Sequence, residues 1–282
     1  MPMTTEIFRK LTGDVPDIVY HYCGPDGLLG ILRSRQIWAT SVWHLNDTSE
    51  RTYAATRIRC VARRIARETS ADPAALPAAL LIDRAEEVIS YVACFSEHDD
   101  LLSQWRAYAP PEGGFALGIQ TSSLSSGGDW LFGRCEYDCA SQDHAVESIL
   151  RDHPKLLDPN ESLERLTDAS DPEVSSLIAA LLTLVPLCKH PGFREETEWR
   201  IVRGPIEAEH HPTEFRVSRV PLTPYQCIPL AESGAELPIA EVVIGPSRDA
   251  HERTLGATRI LLNQHGLKNC DLRVSQIPYR GW

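Results

Sequence analysis

The chain lacks any apolar run approaching the roughly 20 residues that a membrane-spanning helix needs. It also lacks a basic start followed by an apolar block and a small-residue cleavage site. Residues 1–12 instead carry Glu6, Arg9 and Lys10 around Phe8, so export is not expected and a cytoplasmic location is. Positive charge is short as well: 28 Lys and Arg against 39 Asp and Glu give a formal net charge of -11. Proteins that wrap duplex nucleic acid draw most of their affinity from neutralised phosphates. No extended duplex-binding surface is therefore expected, although a local basic pocket could still hold a nucleotide. Closely spaced cysteine pairs are missing too. The eight cysteines, Cys23, Cys60, Cys94, Cys135, Cys139, Cys188, Cys227 and Cys270, form no C-x-x-C motif and are expected as reduced, mostly buried thiols. A zinc set of Cys135, Cys139, Cys188 and His190 has a permitted first spacing but not the flanks of a zinc knuckle, and no metal is expected.

Several catalytic signatures are absent as well. There is no G-x-x-x-x-G-K-[ST] loop, no G-x-S-x-G elbow and no H-E-x-x-H. Gly24, Gly27 and Gly30 have the wrong spacing for a dinucleotide fingerprint. These gaps argue against phosphate-loop, α/β-hydrolase, metalloprotease and hydride-transfer chemistry.

What is present is ordinary globular material. The 282 residues are 43% hydrophobic and 24% charged, close to soluble-domain averages and enough for a sizeable core. Ile18–Tyr22, Ile37–Ser41, Val88–Phe95, Phe115–Ile119, Leu131–Tyr137, Phe215–Val220, Ala240–Ile244 and Leu272–Tyr279 read as strands. Helices are expected over residues 28–35, with Asp26 as cap, and over 48–68, 78–87, 101–108, 145–152, 173–186 and 249–265. Strands arrive irregularly and in pairs. The expectation is therefore α+β rather than a repeating βαβ wind: one domain over 1–282, a split or mixed, mostly antiparallel sheet, and a helical insertion at about 145–186.

The densest polar cluster runs from Lys189 to Val202 (K-H-P-G-F-R-E-E-T-E-W-R-I-V). If extended, it places Glu196, Glu198 and Arg200 on one face. Such a row is either a structural ion-pair ladder or a site in which a carboxylate orients a substrate hydroxyl or steadies a developing cation. His21 lies mid-strand between Tyr20 and Tyr22. Ser96 ends a buried strand just before a helix. Trp105 and Tyr108 lie three apart on a helix, and Asn46-Asp47 with Glu50 reads as a helix cap. For each of these a packing or capping role stands beside a binding role.

Taken in order, Y-H-Y at 20–22, G-L-L-G-I-L, I-W-A-T with Leu45-Asn46-Asp47, C-F-S-E at 94–97, Trp105 and Tyr108, G-F-A-L-G-I, Lys189, E-T-E-W-R at 196–200 and E-V-V-I-G-P resemble the mostly bacterial domain-of-unknown-function family 2971. That family brings no settled activity. A looser resemblance is to the ADP-ribosyltransferase superfamily: a His on the first strand, a strand ending in Ser, and Glu-x-Glu entering a late strand. It implies an enzyme that consumes NAD as substrate, an ADP-ribosyltransferase or NAD glycohydrolase, without a metal. Glu198 would steady the ribose cation, Glu196 would orient the attacking group, and His21 would hold the adenosine ribose. Ser96, Trp105, Tyr108, Tyr22, Asn46 and Arg200 would contribute to the nucleotide pocket. Any protein or nucleic-acid acceptor is unspecified. The alternatives are a nucleotide-binding module without turnover, or an enzyme acting on another nucleotide or an RNA end.

Overall fold

The computed structural model describes residues 10–45, 49–68, 90–111, 113–124, 130–158, 171–204, 213–217, 221–232, 234–247 and 251–279. Asn46, Asp47 and the helix expected over 78–87 lie outside the described residues.

The first strand, β1 (Ile18–Cys23), is built from β-branched and aromatic residues that suit a pleated, half-buried surface. Pro25 then opens α1 (Pro25–Ser34), its fixed φ matching a first helical turn. Gly24 is the N-cap and makes no side-chain bond, so Asp26 supplies first-turn charge rather than the expected cap. Arg35 stops the helix in the left-handed region at φ 60, and β2 (Gln36–Ser41) follows at once.

The chain continues through α2 (Ser49–Glu68), β3 (Tyr91–Ser96), α3 (Leu102–Tyr108), β4 (Phe115–Gln120), β5 (Trp130–Arg134), α4 (Cys139–Arg151), α5 (Pro172–Leu184) and β6 (Glu198–Arg203). It ends with β7 (Glu214–Arg216), β8 (Thr223–Pro229), β9 (Ile239–Ile244), α6 (His251–Gln264) and β10 (Asp271–Val274). Three local expectations change. The strand from Leu131 stops at Arg134, and α4 starts at Cys139 because the Asp138 carboxylate caps the Ser141 N–H. The segment from Phe193 is not one extended run: residues 191–196 form a 3-10 turn, and the strand begins only at Glu198. β8 has no counterpart among the expected strands, and Pro224 and Pro229 lie within it. Pro224 lies opposite Phe215 of β7, a three-residue strand at the sheet edge, where a missing N–H is tolerated.

The ten described strands form one mixed sheet, ordered β10-β9-β4-β1-β3-β2-β8-β7, with β6 also on β3 and β5 on β6. Every pairing is antiparallel except β9–β10. The branch at β3 positions the site. β6 occupies one edge of β3 along its whole length, from Tyr91↔Arg203 to Ser96↔Glu198. The other edge is shared: β2 pairs at Thr40↔Val92, and β1 pairs only at Tyr20↔Ser96. The sheet therefore splits between β1 and β2, beside Cys94.

Each face of the sheet buries its own core. On one, Val19, Ile37, Phe95, Leu117, Trp199, Ile201 and Val242 pack beneath Leu28 and Leu32 of α1 and Leu262 of α6. On the other, Val92 and Val202 meet Ile58 and Ile65 of α2, Ile149 of α4 and Leu177 of α5. A smaller group on that second face, Tyr22, Trp105, Ala116 and Val243, covers the β1–β4–β9 wing. Polar residues collect between these last two groups.

Candidate functional site

The two-residue period of a strand sets which side chains meet. Because Ser96 lies opposite both Tyr20 and Glu198, and Cys94 lies opposite Arg200, the side chains of Tyr20, Cys94, Ser96, Glu198 and Arg200 share the second face. Glu198 and Arg200 are 4% and 2% exposed. Arg200 donates from Nε to Glu198 Oε1 at 2.7 Å and from Nη2 to Oε2 at 3.1 Å, and its Nη1 donates to the Pro186 carbonyl at 2.6 Å. The Lys189 ammonium donates to Glu198 Oε2 and, at 2.5 Å, to Glu196 Oε2. Lys189 is itself anchored: its N–H donates to the Glu136 carbonyl at 3.0 Å, and its carbonyl accepts from Gln142 at 2.8 Å.

Two carboxylates and two cations thus form one buried, charge-balanced group. Burial alone would raise the Glu198 pKa, but Arg200 and Lys189 outweigh it and hold the acid down at about 2. Cys94 is affected in the opposite sense. Burial and then the Glu198 charge push its thiol well above the ordinary range, so it stays protonated and donates to Glu198.

The expected alignment of both glutamates along one strand holds only for Glu198 and Arg200. Glu196 belongs to the 3-10 turn and reaches the group through Lys189. Between them Thr197 sits at φ 38, in the left-handed region that a β-branched residue rarely enters. Its buried Oγ1 has no hydrogen-bond partner. A backbone held in such a region costs of order 1–3 kcal/mol and persists only where its surroundings impose it. Here Ser96 does so: its Oγ donates to the Glu196 carbonyl at 2.7 Å and accepts from the His98 N–H at 3.1 Å, while the Glu97 N–H donates to the Thr197 carbonyl at 3.3 Å. On the strand side, the Glu198 N–H donates to the Tyr137 hydroxyl at 2.9 Å.

Tyr108, at the end of α3, lies beside this group. The residue is 38% exposed, yet its hydroxyl end lies deep, near Cys94, Glu198, Lys189 and Glu196. Burial raises its phenol beyond the normal range, and the Glu198 carboxylate adds to the effect. The residue is thus partly open to solvent while its phenol lies close to the charged group.

The other expected residues separate. Trp105 is 1% exposed; its indole N–H donates to Asp100 at 2.7 Å, and it packs edge-on against Tyr22 at 4.7 Å. A Cβ on Gly245 would come within 2.7 Å of its ring, so no stacking face remains for a ligand. Tyr22, 5% exposed, donates to the His98 carbonyl at 2.8 Å and accepts from the Leu101 N–H at 3.0 Å. Both therefore act as supports for the loop between β3 and α3, not as pocket walls. His21 lies across the split. Neighbouring strand positions point to opposite faces, so its ring turns away from Tyr20 and Glu198, 5.8 Å from Phe95, and its Nδ1 donates to the Cys94 carbonyl at 2.9 Å. That carbonyl belongs to the stretch of β3 edge left between β1 and β2. Burial lowers the His21 pKa, and the Arg216 charge lowers it further against that hydrogen bond, so the imidazole is neutral. Asn46 lies outside the described residues.

Sequence reasoning passed over Lys189, Cys94 and Tyr137 as site residues. Lys189 carried a signal, as the first residue of the densest polar run. Cys94 and Tyr137 carried none, because strand register brings in the first and the turn after β5 the second. Among the described residues no group of three or more His, Cys, Asp or Glu is placed to hold a metal ion, and no helix is long and apolar enough to cross a membrane.

A family model described as "Protein of unknown function (DUF2971)" matches residues 104–201, a stretch that contains Trp105, Tyr108, Lys189, Glu196, Glu198 and Arg200. No curated protein and no solved structure matches the chain.

Proposed function

We propose that the chain binds NAD against the split face of the sheet and cleaves its nicotinamide–ribose bond, as an NAD glycohydrolase or ADP-ribosyltransferase. The observation that carries this reading is the Ser96 clip. It holds a strained Glu196-Thr197-Glu198 turn so that two carboxylates from neighbouring elements stand together beside the half-open ring of Tyr108. In the proposed reaction the C–N bond breaks, its electron pair leaves with nicotinamide, and positive charge develops at the ribose carbon. Glu198, ionised at any neutral pH, stabilises that charge. As the sugar arrives, a ribose hydroxyl takes the place of Lys189 on Glu198 and the ammonium stays with Glu196. Water or an acceptor hydroxyl then attacks and passes its proton to Glu196. Tyr108 takes the stacking role, since Trp105 has no free face.

A second reading rests on a specific observation. Both oxygens of Glu198 already accept from cations, so the group can serve as a binding-site wall without turnover. Incubation with NAD and assay of free nicotinamide separates the two. Release that falls at least a hundredfold in Glu198→Gln and about tenfold in Tyr108→Ala, with both variants folded by circular dichroism, supports the enzyme. Thermal stabilisation by NAD, with the dinucleotide intact after long incubation, selects the binding module instead. Release undiminished in Glu198→Gln removes the proposed mechanism.

A further inference from the structure

Beyond the carboxylates, the same face of the sheet carries a cation with the opposite surroundings. Register runs from Val92 to Thr40, from Thr40 to Tyr225 and from Trp38 to Cys227, and β7 places Arg216 opposite Thr223. Trp38, Thr40, Tyr225 and Arg216 therefore share the face that also holds Glu198. The rings of Trp38 and Tyr225 lie 4.5 Å apart, and the Arg216 guanidinium sits over both, at 5.4 and 5.9 Å. Its Nη2 donates to Thr40 Oγ1 at 2.8 Å. Its Nε is buried and has no hydrogen-bond partner.

Among the described residues no carboxylate meets this arginine. Glu214, two residues earlier, accepts from the Tyr225 hydroxyl at 2.8 Å and from the Cys227 thiol at 3.7 Å. A partly buried guanidinium with an orphaned donor is costly in a chain carrying eleven excess negative charges, where a compensating acid was readily available. Burial lowers the Arg216 pKa, and only Tyr225 acts against that. The charge also reaches His21 at the split. Stacking on two rings fixes the plane of the fork, which suits the bidentate recognition that arginine gives phosphate and carboxylate groups.

We propose that Arg216, held on the Trp38–Tyr225 shelf by Thr40, is the phosphate-binding subsite of the nucleotide cleft. The assignment deepens the proposed function and rests on it for the identity of the whole ligand. Thr40 lies beside Val92, four residues along β3 from Ser96, which at strand rise is about 13 Å. A ligand of dinucleotide length can span from Glu198 toward Arg216; a nucleoside alone cannot.

The test is isothermal titration of the full chain with inorganic pyrophosphate, AMP and adenosine. The wild type is expected to bind pyrophosphate, with affinity falling at least tenfold in Arg216→Gln and most of that loss remaining in Arg216→Lys, which keeps charge but not the fork. Adenosine binding, where present, should not change in either variant. Wild-type protein that ignores pyrophosphate, or Arg216→Gln that binds it as well as wild type, overturns the subsite. If pyrophosphate binding depends on Arg216 but no nicotinamide is released from NAD, the subsite stands and the glycosidic chemistry falls. If nicotinamide is released yet Arg216→Gln changes nothing, the reverse holds.

Discussion

Arg200 and Arg216 lie on the same face of one sheet, yet their surroundings differ in kind. Arg200 is almost wholly enclosed, and each of its three nitrogens donates to a protein oxygen, two of them on Glu198. Arg216 is enclosed by rings instead, with a hydroxyl on one nitrogen and nothing on Nε. The first arrangement is finished within the chain. The second leaves a donor open, which is where the proposed anion would bind. Together they show that charge near a sheet is informative through its compensation, not its burial: a matched group organises the fold, and an unmatched one marks where a ligand belongs.

The comparison breaks most visibly at Arg200. Arg200→Met removes the fork from a buried carboxylate and leaves the Pro186 carbonyl without its donor. The expected loss is about 3–5 kcal/mol of unfolding free energy, read from urea denaturation. A loss near zero would mean that Lys189 alone neutralises Glu198. The acid limb of stability tests the same group without mutation. The folded pKa of Glu198, about 2, lies below its ordinary 4.5, so the unfolded chain takes up the proton first. Its contribution is complete above about pH 5 and is lost as pH falls through 4.5 toward 2. Glu198→Gln should flatten that limb, and an unchanged limb would show that other carboxylates dominate it. Ser96→Ala comes next, at about 1–2 kcal/mol, for the lost bond to the Glu196 carbonyl. Because that bond holds the strained turn, nicotinamide release should fall far more than stability does. Equal falls would reduce Ser96 to a packing residue.

The part of the molecule that sequence made legible is the part carried by periodicity. The β1 run around His21, the buried strand ending in Ser96 and the G-F-A-L-G-I strand appear where alternation and β-branched residues put them. Ser96 touches the Glu-x-Glu turn through the Glu196 carbonyl. What stayed hidden depended on register or on prolines. Whether His21 faces Glu198 is decided by register, through Tyr20↔Ser96 on one side of β1 and the ladder with β4 on the other, since a one-residue shift would turn it round. Trp105 and Tyr108 were expected to share one helical face. The segment's packing separates them, with Trp105 inside at 1% exposure and Tyr108 open at 38%. β8 was disguised by Pro224 and Pro229, and with it went Tyr225 and the reason to notice Arg216.

The smallest expected effect is the one that most sharpens the contrast between the two arginines. Arg216→Met should change stability by less than about 1 kcal/mol, although the substitution is the same as the one proposed at Arg200. Stacking of the guanidinium on Trp38 and Tyr225 contributes roughly 0.5–1 kcal/mol at a partly exposed site, and the Thr40 hydroxyl loses its donor. Against this, a desolvated charge with an unsatisfied Nε disappears, and methionine keeps much of the apolar contact with the rings. The terms nearly cancel, so a chain that has lost its phosphate subsite should still unfold at close to the wild-type urea midpoint. A drop comparable to that of Arg200→Met would mean that Arg216 is completed by the protein itself, and the distinction between the two arginines would vanish.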